Sequence, residues 1–274
     1  MNSTKPTAPS VVYLSGFDPV PEPLLGKLWP EGQPFYLKQA NKPNSIVICL
    51  HGFGATPYET RPVADACVQR GMDAVAPLLP GHGFKEDEDQ RRAIKTMTRV
   101  NVLEAIRQEI AKGRKLYSKV FLYGQSMGGA AALAIAGEGL VDACAATAPA
   151  LKLPAGAGFA MVFMGKIDLN IKKKQKPRSF VNYSYSAHNT IAAAQLQRLS
   201  LHARKMLHHI TCPVFIAHSR NDSTIDPVVT SWVQARAKGS VEIAWFDKSD
   251  HTMPLDVQGK DVAAAIAVFF CMQS

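Results

Sequence analysis

Residues 46–50, Ile46-Val47-Ile48-Cys49-Leu50, form an unbroken apolar run. A strand with one wet face would alternate; an unbroken run predicts a central strand buried on both sides, over 45–50. Downstream of it, helix-like and strand-like segments take turns. The pattern predicts a helix over 61–70, a strand over 72–76, a helix over 98–112, and strands over 120–123 and 143–147. Within the 98–112 helix, Val100, Leu103, Ile106 and Ile110 recur at helical spacing. The rhythm resumes with a strand over 214–218, a helix over 227–237, a strand over 241–246 and a closing helix over 256–270. Such alternation predicts an α/β fold with a mostly parallel central sheet and helices on both faces.

Two stretches break the rhythm. Residues 1–34 hold many of the eighteen prolines and show no clear period, so they read as an irregular arm. Residues 151–207 carry a Gly/Ala/Met-rich apolar patch, a basic cluster and a further tract over 186–207. A long excursion between two strands of one sheet is most simply an inserted cap. The expected organisation is therefore a body made of 35–150 and 208–274, with the cap or lid at 151–207.

Composition narrows this picture. The chain has 274 residues and is 47% apolar, enough to bury a large core in one α/β domain. Residues 1–10 lack the apolar segment of a secretory signal, and no run reaches the ~18–20 apolar residues of a membrane helix. A soluble, cytoplasmic protein is expected. Five cysteines at 49, 67, 144, 212 and 271 are widely spaced with no Cys-x-x-Cys pair, which suits small buried hydrophobes and free thiols better than a disulfide framework. The charge of +9 is partly concentrated in Lys172-Lys173-Lys174-Gln175-Lys176-Pro177-Arg178. No nucleic-acid-binding module surrounds that cluster, so nucleic acid is not an expected partner. It reads as a solvated loop, with membrane-surface contact through Lys172, Lys173, Lys174 and Lys176 as the alternative.

The chemistry is concentrated in Gly124-Gln125-Ser126-Met127-Gly128, which follows the predicted strand 120–123 and precedes an alanine-rich helical segment. A strand that turns abruptly into a helix holds its middle residue at strained positive φ and needs near side-chain-free neighbours two positions away. Ser126 is then an exposed nucleophile, although a purely structural turn would use the same glycines. A serine hydroxyl needs a base, and the base needs an orienting acid. His251 lies just after the strand 241–246, at the same sheet edge, and reads as the base. Asp222 lies just after the strand 214–218 and reads as the acid; Asp226 competes but is better explained as a cap of the helix beginning at Pro227. Asp247 and Asp250 are too close in sequence to His251 to reach its far ring nitrogen. The oxyanion of a tetrahedral intermediate would take the N–H of Met127 and that of Phe53 in His51-Gly52-Phe53-Gly54. His51 itself and Pro80-Gly81-His82-Gly83 read as structural, and no metal site is expected. Phe159, Met161, Val162, Phe163 and Met164 would either line an acyl groove or pack the cap on the body.

The order Ser126, Asp222, His251 is that of α/β-hydrolases. Together with Leu50-His51-Gly52-Phe53-Gly54, Pro80-Gly81-His82-Gly83, Gly124-Gln125-Ser126-Met127-Gly128-Gly129, Asn221-Asp222 followed by Asp226-Pro227, and Asp250-His251, it resembles the α/β-hydrolase carboxylesterases and bacterial monoacylglycerol lipases over roughly residues 45–270. The resemblance implies an α/β-hydrolase fold, with those positions as oxyanion loop, structural turn, nucleophile, acid and base. The expected activity is cofactor-independent hydrolysis of carboxylic esters with short to medium acyl chains, or of monoacylglycerol-like lipids, through an acyl-enzyme. Thioester hydrolysis, C–C bond hydrolysis and a receptor-like binding role with vestigial turnover are alternatives on the same fold.

Overall fold

The computed structural model of the chain describes residues 13–153, 167–173 and 180–274. After a short helix α1 (Glu22–Leu25), the chain forms β1 (Phe35–Leu37), β2 (Ser45–Leu50), α2 (Arg61–Gln69), β3 (Asp73–Ala76), α3 (Asp87–Ala93), α4 (Arg99–Leu116), β4 (Lys119–Gln125), α5 (Met127–Ala136) and β5 (Ala143–Thr147). A two-stranded ribbon of β6 (Asn170–Lys172) and β7 (Ala187–Asn189) follows. The chain then returns to the body through α6 (Thr190–Met206), β8 (Val214–His218), α7 (Val229–Arg236), β9 (Val241–Trp245) and α8 (Gly259–Cys271). The main sheet has the order β1-β3-β2-β4-β5-β8-β9. Only β1 runs antiparallel, against β3; the other pairs are parallel.

The apolar runs are explained by burial on two faces. Ile46, Ile48 and Leu50 of β2 and Val120 and Leu122 of β4 point into one core with α4, α5 and α6. Val47, Cys49, Phe121 and Tyr123 point into the other with α2 and α8. Successive side chains of a strand alternate between faces, so a strand covered by helices on both sides has few positions for a polar residue, and those it has, such as Ser45, Gln125, Thr147 and His218, fall at the strand ends. The sheet of the α/β-hydrolase fold, flanked by helices and interrupted by a cap insertion after β5, is thus present as expected.

Several local expectations shift. In α4 the buried face is Val102, Leu103, Ile106 and Ile110, whereas Val100 is 61% exposed; it lies in the first turn, away from the arc that meets the sheet. Thr98 caps that helix through the Asn101 N–H. The helix expected from Pro227 begins at Val229, because 227–228 form a turn in which Asp226 accepts the Val228 N–H. The closing helix begins at Gly259, after a 3-10 turn Met253–Leu255. The tract 186–207 is largely α6, whose Ala192, Leu196, Leu199 and Ala203 enter the body core against α5. It is a core helix rather than part of an overhanging cap. Cys49, Cys67 and Cys144 are buried and Cys212 half-buried, but Cys271 is exposed; all are free thiols.

Residues 13–34 carry only short elements and are tied to the body. Leu14 pairs with Leu78 and Leu28 with Phe84 in isolated antiparallel bridges. Buried Glu109 of α4 accepts the Gly16 N–H at 2.7 Å and the Tyr13 hydroxyl. Leu28 is fully buried in a small cluster with Leu14, Leu78, Phe84 and Ala93. No helix among the described residues is long and apolar enough to cross a membrane. Leu28→Ala should lower the unfolding free energy by about 2–5 kcal/mol in urea melts followed by circular dichroism. An unchanged midpoint would mean that this strap adds nothing to the fold.

Candidate active site

The turn between β4 and α5 forces Ser126 to φ 54° and ψ −110°. A Cβ built on Gly124 would lie 2.2 Å from the carbonyl of Gly128, and one on Gly128 would lie 2.2 Å from the Leu50 oxygen. Both positions must therefore be glycine for the elbow to close against β2. The backbone is pinned by Ser126 N–H to Thr147 O and by Ala150 N–H to Ser126 O. Ser126 consequently sits at the N-terminus of α5, where the helix dipole favours negative charge.

His251 and Asp222 reach this serine from the loops after β9 and β8. His251 Nε2 lies 2.9 Å from Ser126 Oγ, and His251 Nδ1 lies 2.9 Å from Asp222 Oδ2. The Asp222 side chain is wholly buried and that of His251 is 18% exposed. Asp222 Oδ1 accepts the N–H groups of Thr224 and Ile225. Burial pushes the Asp222 carboxyl up, but the His251 hydrogen bond and charge, with those two N–H donors, outweigh it and hold the group below the usual aspartate range. Asp222 is thus an ionised acceptor that orients His251 with Nδ1 protonated and Nε2 facing the hydroxyl. Gln125 steadies the His251 loop by donating to the His251 carbonyl at 2.7 Å. The competing carboxylates are engaged elsewhere: Asp226 with Lys152, Asp247 with Arg220, and Asp250 with Ser223 and the His251 N–H.

The loop after β2, expected from the sequence to hold the oxyanion, is braced by buried His51, against whose ring buried His82 packs. His51 Nε2 accepts the Leu79 N–H, which leaves the proton on Nδ1 to donate to Gly52 O at 2.9 Å. Burial, then the neighbouring His82, pushes the His51 pKa well down, and burial brings His82 to about 4. Both stay neutral and structural. The Phe53 and Met127 N–H groups have no hydrogen-bond acceptor among the described residues.

Ser126 opens into a cavity of about 350 Å³. Ala150, Leu153, Ala193, Leu196 and Ile225 supply apolar lining, while Glu59, Lys173, Asn182, Ser184 and His188 supply polar lining. The His188 ring stacks on Phe53 with centroids 5.5 Å apart. Phe159, Met161, Phe163 and Met164 lie outside the described residues, as do Lys174 and Lys176. Lys172 is exposed on β6, whereas Lys173 lines the cavity instead of facing outward. Among the described residues no three His, Cys, Asp or Glu side chains converge into a metal site.

Sequence reasoning missed Glu59. It lies in the 3-10 turn Pro57–Thr60 before α2, is 3% exposed, and accepts the Gly52 N–H. Burial raises its pKa from 4.5 to about 6, against the opposing effects of Gly52, His251, Asn182 and Lys173. A lone carboxylate in a polar tetrapeptide carries no signal of burial; only the return of that turn onto the oxyanion loop reveals it.

The sequence pattern of the Alpha/beta hydrolase family matches residues 47–265. A thermostable monoacylglycerol lipase of Bacillus sp. (strain H-257) is 26% identical over 233 residues, covering 82% of this chain and 88% of that protein. Among solved structures, one described with the metagenome-derived lipolytic enzymes LipS and LipT superposes with a TM-score of 0.81 at 20% identity, over 90% of this chain and all of that one. The monoacylglycerol lipase of Paleococcus ferrophilus gives 0.73 at 17% identity, over 88% and 98%.

The raised Glu59 pKa has a stability consequence of definite sign. Below about pH 4.5 the carboxyl is protonated in both folded and unfolded chains. Between 4.5 and 6 the unfolded chain ionises first, so stability falls as pH rises, and above 6 the full penalty persists. Glu59→Gln should therefore gain roughly 2 kcal/mol over the wild type at pH 8 relative to its effect at pH 4, measured by urea unfolding. An effect equal at the two pH values would contradict a penalised carboxylate at this position.

Proposed function

The chain belongs to the alpha/beta hydrolase family, and from that premise we propose that it is a serine hydrolase of carboxylic esters that works through an acyl-enzyme. The observation that carries this reading is the continuous relay from Ser126 Oγ through the His251 ring to the buried Asp222 carboxylate. Ser126 attacks the ester carbonyl while His251 Nε2 takes the hydroxyl proton. The imidazolium formed is stabilised by Asp222, whose charge is maintained by its hydrogen bonds. The carbonyl oxygen becomes an oxyanion in front of the Phe53 and Met127 N–H groups, near the positive end of α5. Collapse of the intermediate expels the alcohol, which receives the proton from His251. Water then enters, gives its proton to the same imidazole, and the second tetrahedral intermediate releases the acid and regenerates Ser126.

The cavity argues for the substrate class. Its apolar lining from α6 and the segment after β5 suits an acyl chain, and its volume of about 350 Å³ suits one of short to medium length or a monoacylglycerol-like lipid. The kinship with a bacterial monoacylglycerol lipase supports the same class. Wild-type protein should be labelled at Ser126 by a fluorophosphonate and should turn over a panel of aryl esters and monoacylglycerols repeatedly. Ser126→Ala should remain folded and lose ~10⁴- to 10⁶-fold in kcat. Ester hydrolysis near the wild-type rate by that variant would remove Ser126 from the chemistry.

A further inference from the structure

Glu59 takes no part in the proton transfers of the proposed reaction, yet it lies in the wall beside the nucleophile. A Cβ built on Gly52 would lie 2.8 Å from Glu59 Oε1 and 3.4 Å from Ser126 Cβ, so the oxyanion loop passes closely between the two side chains. Gly52 is held at both of its polar groups: its N–H donates to Glu59, and its C=O accepts from His51 Nδ1. The Phe53 N–H belongs to the same planar trans peptide as that C=O and points the opposite way. The Gly52 N–H lies in the preceding peptide, joined to this one through the two freely rotating bonds of a glycine. With the Gly52 C=O held by His51, the bond to Glu59 anchors the other side of that pivot and so limits how the Phe53 N–H, which has no acceptor among the described residues, can turn.

A carboxylate is a costly way to fill this space if filling were all that mattered, because burial disfavours its charged form. The titratable and charged side chains that face it are His251, from the loop after β9, and Lys173, from the ribbon, with the Asn182 side chain as a hydrogen-bond donor. Within the ester-hydrolase reading, we infer that Glu59 is a positioning residue: by accepting the Gly52 N–H it orients the Gly52–Phe53 peptide so that the Phe53 N–H meets the developing oxyanion. The work is done by an acceptor oxygen at that point in space. Negative charge is not required for it, since a protonated glutamic acid or a glutamine offers a carbonyl oxygen to the same donor.

The test compares Glu59→Gln with Glu59→Met, which keeps the length and removes the acceptor; Glu59→Ala is a second acceptor-free variant. Circular dichroism checks folding, and a soluble aryl ester gives kcat and KM from pH 5 to 8. Glu59→Met should lose ~30- to 300-fold in kcat with KM within ~3-fold, because a slightly misdirected oxyanion donor weakens transition-state binding and leaves substrate binding intact. Glu59→Gln should stay within ~3-fold of wild type, and its pH–kcat profile should overlay the wild-type one. Wild-type kcat in folded Glu59→Met or Glu59→Ala would overturn the inference. So would a Glu59→Gln as impaired as the acceptor-free variants, or an acid limb in the wild type that Glu59→Gln lacks. If neither acceptor-free variant folds, the Glu59→Gln comparison decides in the same terms. Failure of the hydrolase reading itself looks different: the wild type would then show neither turnover nor fluorophosphonate labelling.

Discussion

Every part of the site depends on one close backbone approach, that of the elbow after β4 to the end of β2. Gly128 rests on the Leu50 and His51 carbonyls, and Gly124 rests on Gly128 itself, at distances that leave no room for a Cβ. This contact brings the N-terminus of α5 and the loop after β2 within reach of one oxygen atom. It also imposes the left-handed backbone at Ser126, a conformation that costs of order 1–3 kcal/mol in a residue with a side chain. The strain is borne by a helix that is buried along its whole length and by neighbouring parallel strands, so the body stabilises what the site requires.

The second constraint is electrostatic. Carboxylates Asp222 and Glu59 are both withdrawn from water beside His251, yet their environments drive them in opposite directions. Asp222 receives the His251 ring and two backbone N–H groups, and its charge is held. Glu59 receives fewer donors for a comparable loss of solvent, and its proton is held longer. Where two carboxyl groups diverge in this way, they serve different purposes. In the proposed reaction Asp222 would complete the proton relay, while Glu59 is inferred to hold a peptide in place. His51 and His82, kept neutral by burial, show the same economy: as uncharged rings they fix backbone without placing a positive charge that would compete for the oxyanion.

Most of the sheet was legible because strands covered on both faces are held to nearly continuous apolar runs, as 46–50 and 143–146 illustrate. The positions of Ser126, Asp222 and His251 were legible for a related reason: parallel strands deliver their following loops to one edge, so three residues just after strands become neighbours. What escaped was whatever depends on contacts between loops. Val100 matched the helical period but lies off the arc that the sheet covers. Residues 13–34 lack periodicity, yet single apolar side chains such as Leu28 find pockets that no repeat announces. The helix α6 was hidden inside an apparent cap because alanine-rich sequence suits either role, and only its packing on α5 separates them.

The insertion after β5 is coupled to the chemistry by its anchoring. It departs from Ala150, whose N–H holds the Ser126 carbonyl, and it returns past Tyr185 into α6. Tyr185 is buried; its N–H donates to Gly54 O at 2.7 Å and its hydroxyl donates to Gly81 O at 2.9 Å. The same hydroxyl accepts the Phe84 N–H. One side chain thereby ties the segment that lines the cavity to the oxyanion loop and to the glycine turn that carries His82. Stacking of His188 on Phe53 adds a second tie to the same loop. The described part of the insertion is thus in direct contact with the loop whose Phe53 N–H would bind the oxyanion in the proposed reaction. Within the proposed reaction, changes in the ribbon would therefore bear on the Phe53 peptide as well as on which ester fits.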